Sequence, residues 1–363
     1  MDLGPSKSMR ALLLLAIACQ AFAACECGYS INSTSDDSYA LFTDYIRTDF
    51  ARPTSNTLTF DNAPNYEWVA QVYNVSQLAA RGPYGKAAES SNVIVNPEGL
   101  GLELIVRSRL IDLSSSDKMI PIAEVVNNHT NLLYGSFRAG LRTSNVSGTC
   151  AAFFFYHNDS QEIDMESLSR QQNSSAHPIN LVIQSADSVD AGFNAAGTAD
   201  FVPYDLDFDP SEAYHEYRFD WMPGRVDMWA DGKWLHSFTE GTPDSPGAIH
   251  LIHWSNGDPE WSGGPPAEDA VLMVNYVDMY FNSSSSSPGD GGLSCGSGGG
   301  EGWCQIGDGP VLQPSPHAPS ASATTTPAPK ATHRGEAFAT MERCDSSRWL
   351  VWLSMILSVT MFA

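Results

Sequence analysis

Glu162, Asp164 and Glu166 put three carboxyl groups into five residues, separated by the apolar Ile163 and Met165. In an extended strand side chains alternate between faces, so the three acids share one face and Ile163 and Met165 take the other. Like charges on one face repel, and Asp and Glu are poor strand formers, so folding alone would not choose this stripe. Retaining cleavage of a glycosidic bond does call for it, with one carboxyl as nucleophile and another as acid/base, roughly 5–5.5 Å apart. Four strand steps separate the Cα atoms of Glu162 and Glu166 by about 13 Å. Two glutamate side chains leaning inward over a concave sheet close that distance. Asp164 between them would couple to both and hold their pKa values apart, leaving one ionised while the other keeps its proton. An exposed acidic strand face or a calcium site answers the same spacing, and the spacing alone leaves all three readings open.

Such a stripe needs a sheet around it, and the periodicity supplies one. In His215-Glu-Tyr-Arg-Phe-Asp-Trp221, Tyr217, Phe219 and Trp221 fall on one face while Glu216, Arg218 and Asp220 fall on the other. Met222-Pro223-Gly224 turns the chain, 225–230 runs back, Asp231-Gly232 makes a two-residue hairpin turn, and 233–238 returns. Further strands are expected at 101–107, 134–142, 151–156, 163–168, 179–184, 249–254 and 271–281. Many short strands with Gly/Pro/Asp turns and almost no helical periodicity predict an all-β sandwich or barrel.

With those strands in place, Glu162-Ile-Asp-Met-Glu166 resembles the E-x-D-x-E signature of glycoside hydrolase family 16, which groups licheninases, β-1,3-glucanases and cell-wall transglycosylases. Tyr134-Gly-Ser-Phe-Arg-Ala-Gly-Leu-Arg142 resembles the strand that precedes the signature in that family. The segment ending in Tyr214-His-Glu-Tyr-Arg-Phe-Asp-Trp221 is similar to its "YHxYxFDW" strand, and Val226-Asp-Met-Trp-Ala-Asp-Gly232 to its later hairpin. Ile252-His-Trp-Ser-Asn-Gly257, with Glu260-Trp261, is similar to its groove-lining Trp segments. The resemblance is close over 130–282 and looser over 30–130. It implies a concanavalin A-like β-jelly-roll sandwich of two antiparallel sheets with a concave substrate cleft. It also implies a retaining endo-β-glucanase with Glu162 as nucleophile, Glu166 as acid/base and Asp164 as the helper of the nucleophile. Trp254 and Trp261 would be sugar-stacking platforms, and Gln184 and His253 further groove residues; His215 reads as structural. One residue between Asp164 and Glu166 predicts a regular strand, as in the licheninase and transglycosylase branches, where laminarinase-type members carry a bulge. Ser160-Gln161 stands where licheninase-like members carry Trp-Asp. A wall-remodelling transglycosylase and a non-catalytic carbohydrate-binding protein are the alternatives on the same fold.

The two ends read as addresses. Lys7 and Arg10, the apolar run 11–18 and Ala21-Phe22-Ala23 form a secretory signal, giving residues 1–23 as signal peptide. Small residues near Gly335 and Ala337, a polar spacer to Arg348 and the uncharged tail 349–363 have the form of a glycosylphosphatidylinositol anchor signal. Between them, 24–282 is the expected enzyme domain, and 283–348 is a Ser/Gly/Pro/Thr-rich linker and anchor spacer. Seven Asn-x-Ser/Thr acceptors fit the secretory route: Asn32, Asn74, Asn128, Asn145, Asn158, Asn173 and Asn282. The expected protein is a secreted monomer, lipid-anchored at the outer plasma membrane face or cell wall, acting on a β-glucan polysaccharide. A net charge of -23 would repel nucleic acid phosphates and argues against that partner, although it answers equally to simple solubility. No catalytic metal or cofactor is implied; a structural calcium ion is compatible with the sequence, but no ligand cluster names its place. Disulfides are expected outside the cell, and Cys25, Cys27, Cys295 and Cys304 flank the domain so that they could tie its ends together.

Overall fold

Two largely antiparallel sheets are stacked face to face, and the apolar residues of both inner faces form one core. In the computed structural model, residues 25, 27–31, 41–60, 66–114, 117–192, 194–284 and 303–307 are described. The expected signal peptide, the anchor signal and Asn32 lie outside them. The site-bearing sheet runs in the order Phe201–Asp205, Pro178–Gln184, Gln161–Leu168, Cys150–Asn158, Ala248–Trp254, Lys118–Asn127, Trp68–Ala70 and Leu58–Thr59, with Gly85–Ala88 also paired parallel to Lys118–Asn127. The facing sheet runs Lys233–Phe238, Arg225–Ala230, His215–Met222, Leu132–Arg142, Ala270–Ser283, Leu102–Val106 and Val93–Val95, with Asp44–Asp49 also on Ala270–Ser283. Helix is confined among the described residues to the short Gln77–Ala80 and Ala186–Asp190 and two 3₁₀ turns. The all-β sandwich is as expected.

The alternation read from the sequence decides which face is inside. Tyr217, Phe219 and Trp221 enter the core together with Phe137, Phe153, Phe155, Ile163 and Met165. Phe219 lies against Phe137 and Phe153 with ring centroids 5.3 and 5.1 Å away. Burying Ile163 and Met165 fully stabilises the fold by roughly 1.5–3 kcal/mol each, enough to hold the acidic strand in the sheet despite its outer face. The Asp231-Gly232 turn has φ of 47° and 74°, the two positive values that a type I′ hairpin turn requires.

The strand Lys118–Asn127 goes beyond the strands that periodicity predicts. It is covered on both faces and holds Pro121, so it shows no alternation to read. The boundary at 282 also needs correcting. Trp303–Gln305 pairs in parallel with Gly28–Ser30, which pairs with Leu41–Phe42. Ile306 is buried, and Arg138 Nη1 donates to the Gly307 carbonyl at 2.7 Å. A disulfide joins Cys25 to Cys304, and Cys27 is disulfide-bonded as well. Residues 303–307 therefore belong to the fold and not to a linker. Their apolar and cysteine side chains stand alone within Gly/Ser-rich sequence, which hid them.

Asn74, Asn128, Asn145, Asn158 and Asn173 are exposed. Asn282 is only partly so. Its Nδ2 donates to the Leu41 carbonyl at 3.0 Å, while its Oδ1 accepts from the Thr43 N–H.

Candidate active site

The acidic strand Gln161–Leu168 is pinned at both ends. Before it, Asn158 Oδ1 accepts from the Ser160 N–H and Oγ, each at 3.0 Å, and closes the tight turn from Cys150–Asn158. Gln161 Oε1 accepts from the N–H groups of Asp244 and Ser245. Past its far end, Ser169 N–H donates to the Thr149 carbonyl, and Thr149 N–H donates back to Ser169 Oγ at 2.9 Å. From 162 to 166 the register with both neighbouring strands runs without a shift. The strand is regular there, as the one-residue spacing predicts.

Glu162, Asp164 and Glu166 accordingly share the outer face, opposite Ile163 and Met165. Glu162 lies between Tyr156 and Gln184, Asp164 between Phe154 and Val182, and Glu166 between Ala152 and Asn180. This outer face is itself lined. Phe154, Ile252, Ala152 and Ile122 form a second apolar cluster, with Tyr73, Tyr84, Tyr156 and Trp254 packed against it. Two loops add further cover. Arg170, in the 3₁₀ turn Ser169–Gln171, donates to the backbone carbonyls of Glu260 and Trp261 and draws Trp261 over the strand. The same loop passes close to residue 148. A Cβ on Gly264 would lie 2.4 Å from Ser255 Oγ and 2.5 Å from the Gly148 carbonyl, and its φ of 94° favours glycine independently.

Crowding sets the protonation. Burial raises Glu162 to about 8, helped by Glu166 and Asp159 and opposed by the hydrogen bond with Asp164 and by Lys86. Burial raises Glu166 to about 7, opposed by the Cys150 thiol, Lys86 and Trp261. Asp164 is pushed well above the usual carboxyl range by burial and by the two glutamates beside it. Three desolvated carboxyls in one row cannot all be ionised, so Asp164 holds a proton and donates it towards Glu162. Near neutral pH the row therefore shares its protons, and one glutamate can be ionised while the other keeps its proton.

Of the residues expected around the acids, Gln184 stands beside Glu162, with its Oε1 accepting from Ser188 Oγ at 2.7 Å. Trp261 hydrogen-bonds to Glu166 through its side chain and meets Phe201 at 5.9 Å. Trp254 is on the same outer face, and the Lys86 ammonium lies over its ring, 4.6 Å from the centroid. His253 must be reassigned. It pairs with Ala123 and Ala151, which belong to the core between the sheets. It is 0 % exposed, with Nδ1 2.9 Å from the Leu104 carbonyl. Alternation along Ala248–Trp254 turns it away from the face that carries Trp254. Burial drops its pKa to about 4. It is a neutral core histidine.

Four residues near the acids escaped the sequence. Cys150, a free buried thiol, donates to Glu166 Oε1 at 3.3 Å, and burial and the adjacent carboxylates push its pKa far up, so it stays a thiol. Lys86, Glu124 and His250 reach the same face from other strands, and only sheet pairing brings them there. Among the described residues no group of three or more His, Cys, Asp or Glu side chains could hold a metal ion, and no helix is long and apolar enough to cross a membrane.

A consequence of the Lys86 charge can be measured. Its ammonium favours the ionised forms of Glu162 and Glu166, so Lys86→Gln should raise both carboxyl pKa values. If Glu162 must ionise for turnover, the acid limb of the pH–rate profile moves to higher pH. With Glu162 at about 8 and Glu166 at about 7, both limbs move to higher pH, and activity falls several-fold throughout the range below about pH 8; an unmoved acid limb would show that Lys86 does not act on the pair.

Residues 105–277 match the family described as Glycosyl hydrolases family 16. Over 126 residues the chain is 31% identical to a "Xylanase/beta-glucanase" from Ruminococcus flavefaciens, covering 33% of this chain and 14% of that protein. Over 140 residues it is 29% identical to a "Beta-glucanase" from Bacillus subtilis (strain 168), covering 36% of this chain and 51% of that one. The chain thus spans about half or less of the length of these curated relatives. In fold it is similar to the catalytic domain of an endo-1,3-beta-glucanase (laminarinase) from Thermotoga petrophila RKU-1, with a TM-score of 0.50 and 16% identity over 65% of this chain and 98% of that one. The matched segment contains the acidic strand, both strands beside it and the strands that face it across the core, which marks residues 105–277 as a glycosyl hydrolases family 16 segment.

Proposed function

We propose that this chain is a retaining endo-β-glucan hydrolase acting on wall-type glucans of the β-1,3/1,4 kind. The observation that carries the reading is the regular strand that presents Glu162, Asp164 and Glu166 outward from a buried Ile163 and Met165, inside the family segment. The Glu162 carboxylate, steadied by Asp164, attacks the anomeric carbon. As that bond forms, Glu166 gives its proton to the departing glycosidic oxygen. Glu166, now ionised, takes a proton from water, which displaces Glu162 and restores the original configuration. Trp254 and Trp261 border the acids and supply aromatic surface against which C–H-rich sugar faces pack.

The relatives named as beta-glucanases support a glucan as substrate. The unbroken strand between Asp164 and Glu166 supports the mixed-linkage class. We read the protein as secreted and lipid-anchored. The signals at its two ends, the exposed acceptor asparagines and the Cys25–Cys304 disulfide support that location.

Incubation with a panel of β-1,3-, β-1,4-, β-1,6- and mixed-linkage glucans tests the reading. New reducing ends are expected on the mixed-linkage glucan, and the β-anomer is expected first by NMR. Longer chains on a labelled acceptor would instead identify transfer from the same intermediate. Turnover of none of the four glucans would exclude the proposal.

A further inference from the structure

The outer face of the site-bearing sheet holds a second polar group that the three acids do not use. Glu124 is buried in the register row Glu124, Ile252, Ala152, Glu166. Tyr73 Oη donates to Glu124 Oε2, and His250 Nδ1 lies 2.8 Å from Oε1. A buried carboxylate is stable when donors reach both of its oxygens, so the His250 proton is assigned to Nδ1. The other ring nitrogen, Nε2, is then the atom through which the ring can meet a ligand, as an acceptor in the neutral imidazole. The imidazole is held in orientation by Phe154, 4.7 Å away and tilted by 33°, and by Tyr156 edge-on at 5.8 Å.

His250 shares a row with Phe154 and Asp164. Two strand spacings put it about 10 Å across the sheet from Asp164, one or two sugar units along a chain lying across the strands. The surface between is apolar, made by Phe154, Ile252 and Ala152. Such a floor accepts the C–H face of any pyranose and leaves the reading of hydroxyls to its few polar groups.

We propose that His250, oriented by Glu124 and Tyr73, is a specificity-determining residue. Its Nε2 accepts a hydrogen bond from a free hydroxyl of a glycosyl unit bound one or two positions from the cleaved bond. The assignment rests on the glucan reading above. It restricts that reading to neutral glucans unsubstituted at that hydroxyl, because a site built to pair with a hydroxyl discriminates strongly against a partner that lacks it.

The test compares kinetics with binding. On soluble mixed-linkage β-glucan, His250→Phe should raise KM about tenfold, the worth of one hydrogen bond, with kcat within about twofold of wild type. His250→Gln, whose amide oxygen can accept, should recover part of the loss. Tyr73→Phe, which only loosens the orientation, should move KM the same way by less. In an inactive Glu162→Gln background, β-glucan cast into a native gel should retard the protein, and adding His250→Phe should relieve the retardation. Unchanged KM and retardation in His250→Phe would overturn the assignment, as would a fall in kcat and thermal stability with KM unmoved. A wild-type protein that is retarded by glucan yet cleaves none would sink the hydrolase reading while leaving the His250 comparison decisive.

Discussion

Glu162→Gln is expected to lower kcat/KM on β-glucan by roughly 10³- to 10⁵-fold, the scale on which loss of a nucleophile leaves only the remaining binding and electrostatic terms. The fold should survive, because the amide keeps the shape of the side chain and Ile163 and Met165 still anchor the strand. Stability should in fact rise at alkaline pH. The native state holds a proton on Glu162 up to about 8, whereas an ordinary carboxyl releases it near 4.5. Between those values the folded protein binds more protons than the unfolded one, so its stability falls as pH increases through the window. An uncharged amide at this position removes that dependence, and the variant should melt above wild type at pH 9 and close to it below pH 4.5. Glu166→Gln should differ in kind. A substrate whose leaving group needs no protonation, such as an aryl β-glucoside of low leaving-group pKa, should still glycosylate the enzyme, whereas the polysaccharide should not turn over. Glucan hydrolysis by Glu162→Gln at a rate within tenfold of wild type would refute the assignment of the nucleophile.

The second large effect concerns the closure of the fold. Replacing Cys25 and Cys304 by Ala removes a cross-link of sequence separation 279, worth at most about 6 kcal/mol by the chain-entropy relation because Cys27 is disulfide-bonded as well. Domains of this kind are stable by only about 5–15 kcal/mol. For a chain of this size each kcal/mol shifts Tm by about 2–4 °C, so the melting point should drop by up to roughly 12–24 °C. Ending the chain at residue 282 should give a loss at least as large, because the pairing of Trp303–Gln305 with Gly28–Ser30 goes too. Scanning calorimetry on the two variants beside wild type decides the matter: equal melting points would mean the strap contributes nothing to stability.

Much of this was legible in the sequence because the responsible physics is local. Ile163 and Met165 alternate with three acids over five residues, and Tyr217, Phe219 and Trp221 alternate with charged residues, so the inward face of both strands follows from period two. The Asp231-Gly232 turn needs two positive φ values and carries residue types that tolerate them. What escaped depends on partners distant in the chain. His253 and Trp254 are adjacent, and which of them faces the acids is set by pairing of His253 with Ala123 and Ala151, each more than 100 residues away. Lys86 and Glu124 sit on strands whose faces are both covered, so neither announces itself by pattern. Cys150 reads as one unpaired thiol until the register sets it one strand over from Glu166.

The covalent tie between Cys25 and Cys304 also determines how the domain answers a mechanical load. Its two Cα atoms are 5.3 Å apart, so a pull applied at those two residues is borne by a single sulfur–sulfur link, and the polypeptide enclosed between them stays slack. Neither sheet is unzipped, and the acidic row keeps its geometry under tension that would otherwise peel Ala270–Ser283 from its neighbours.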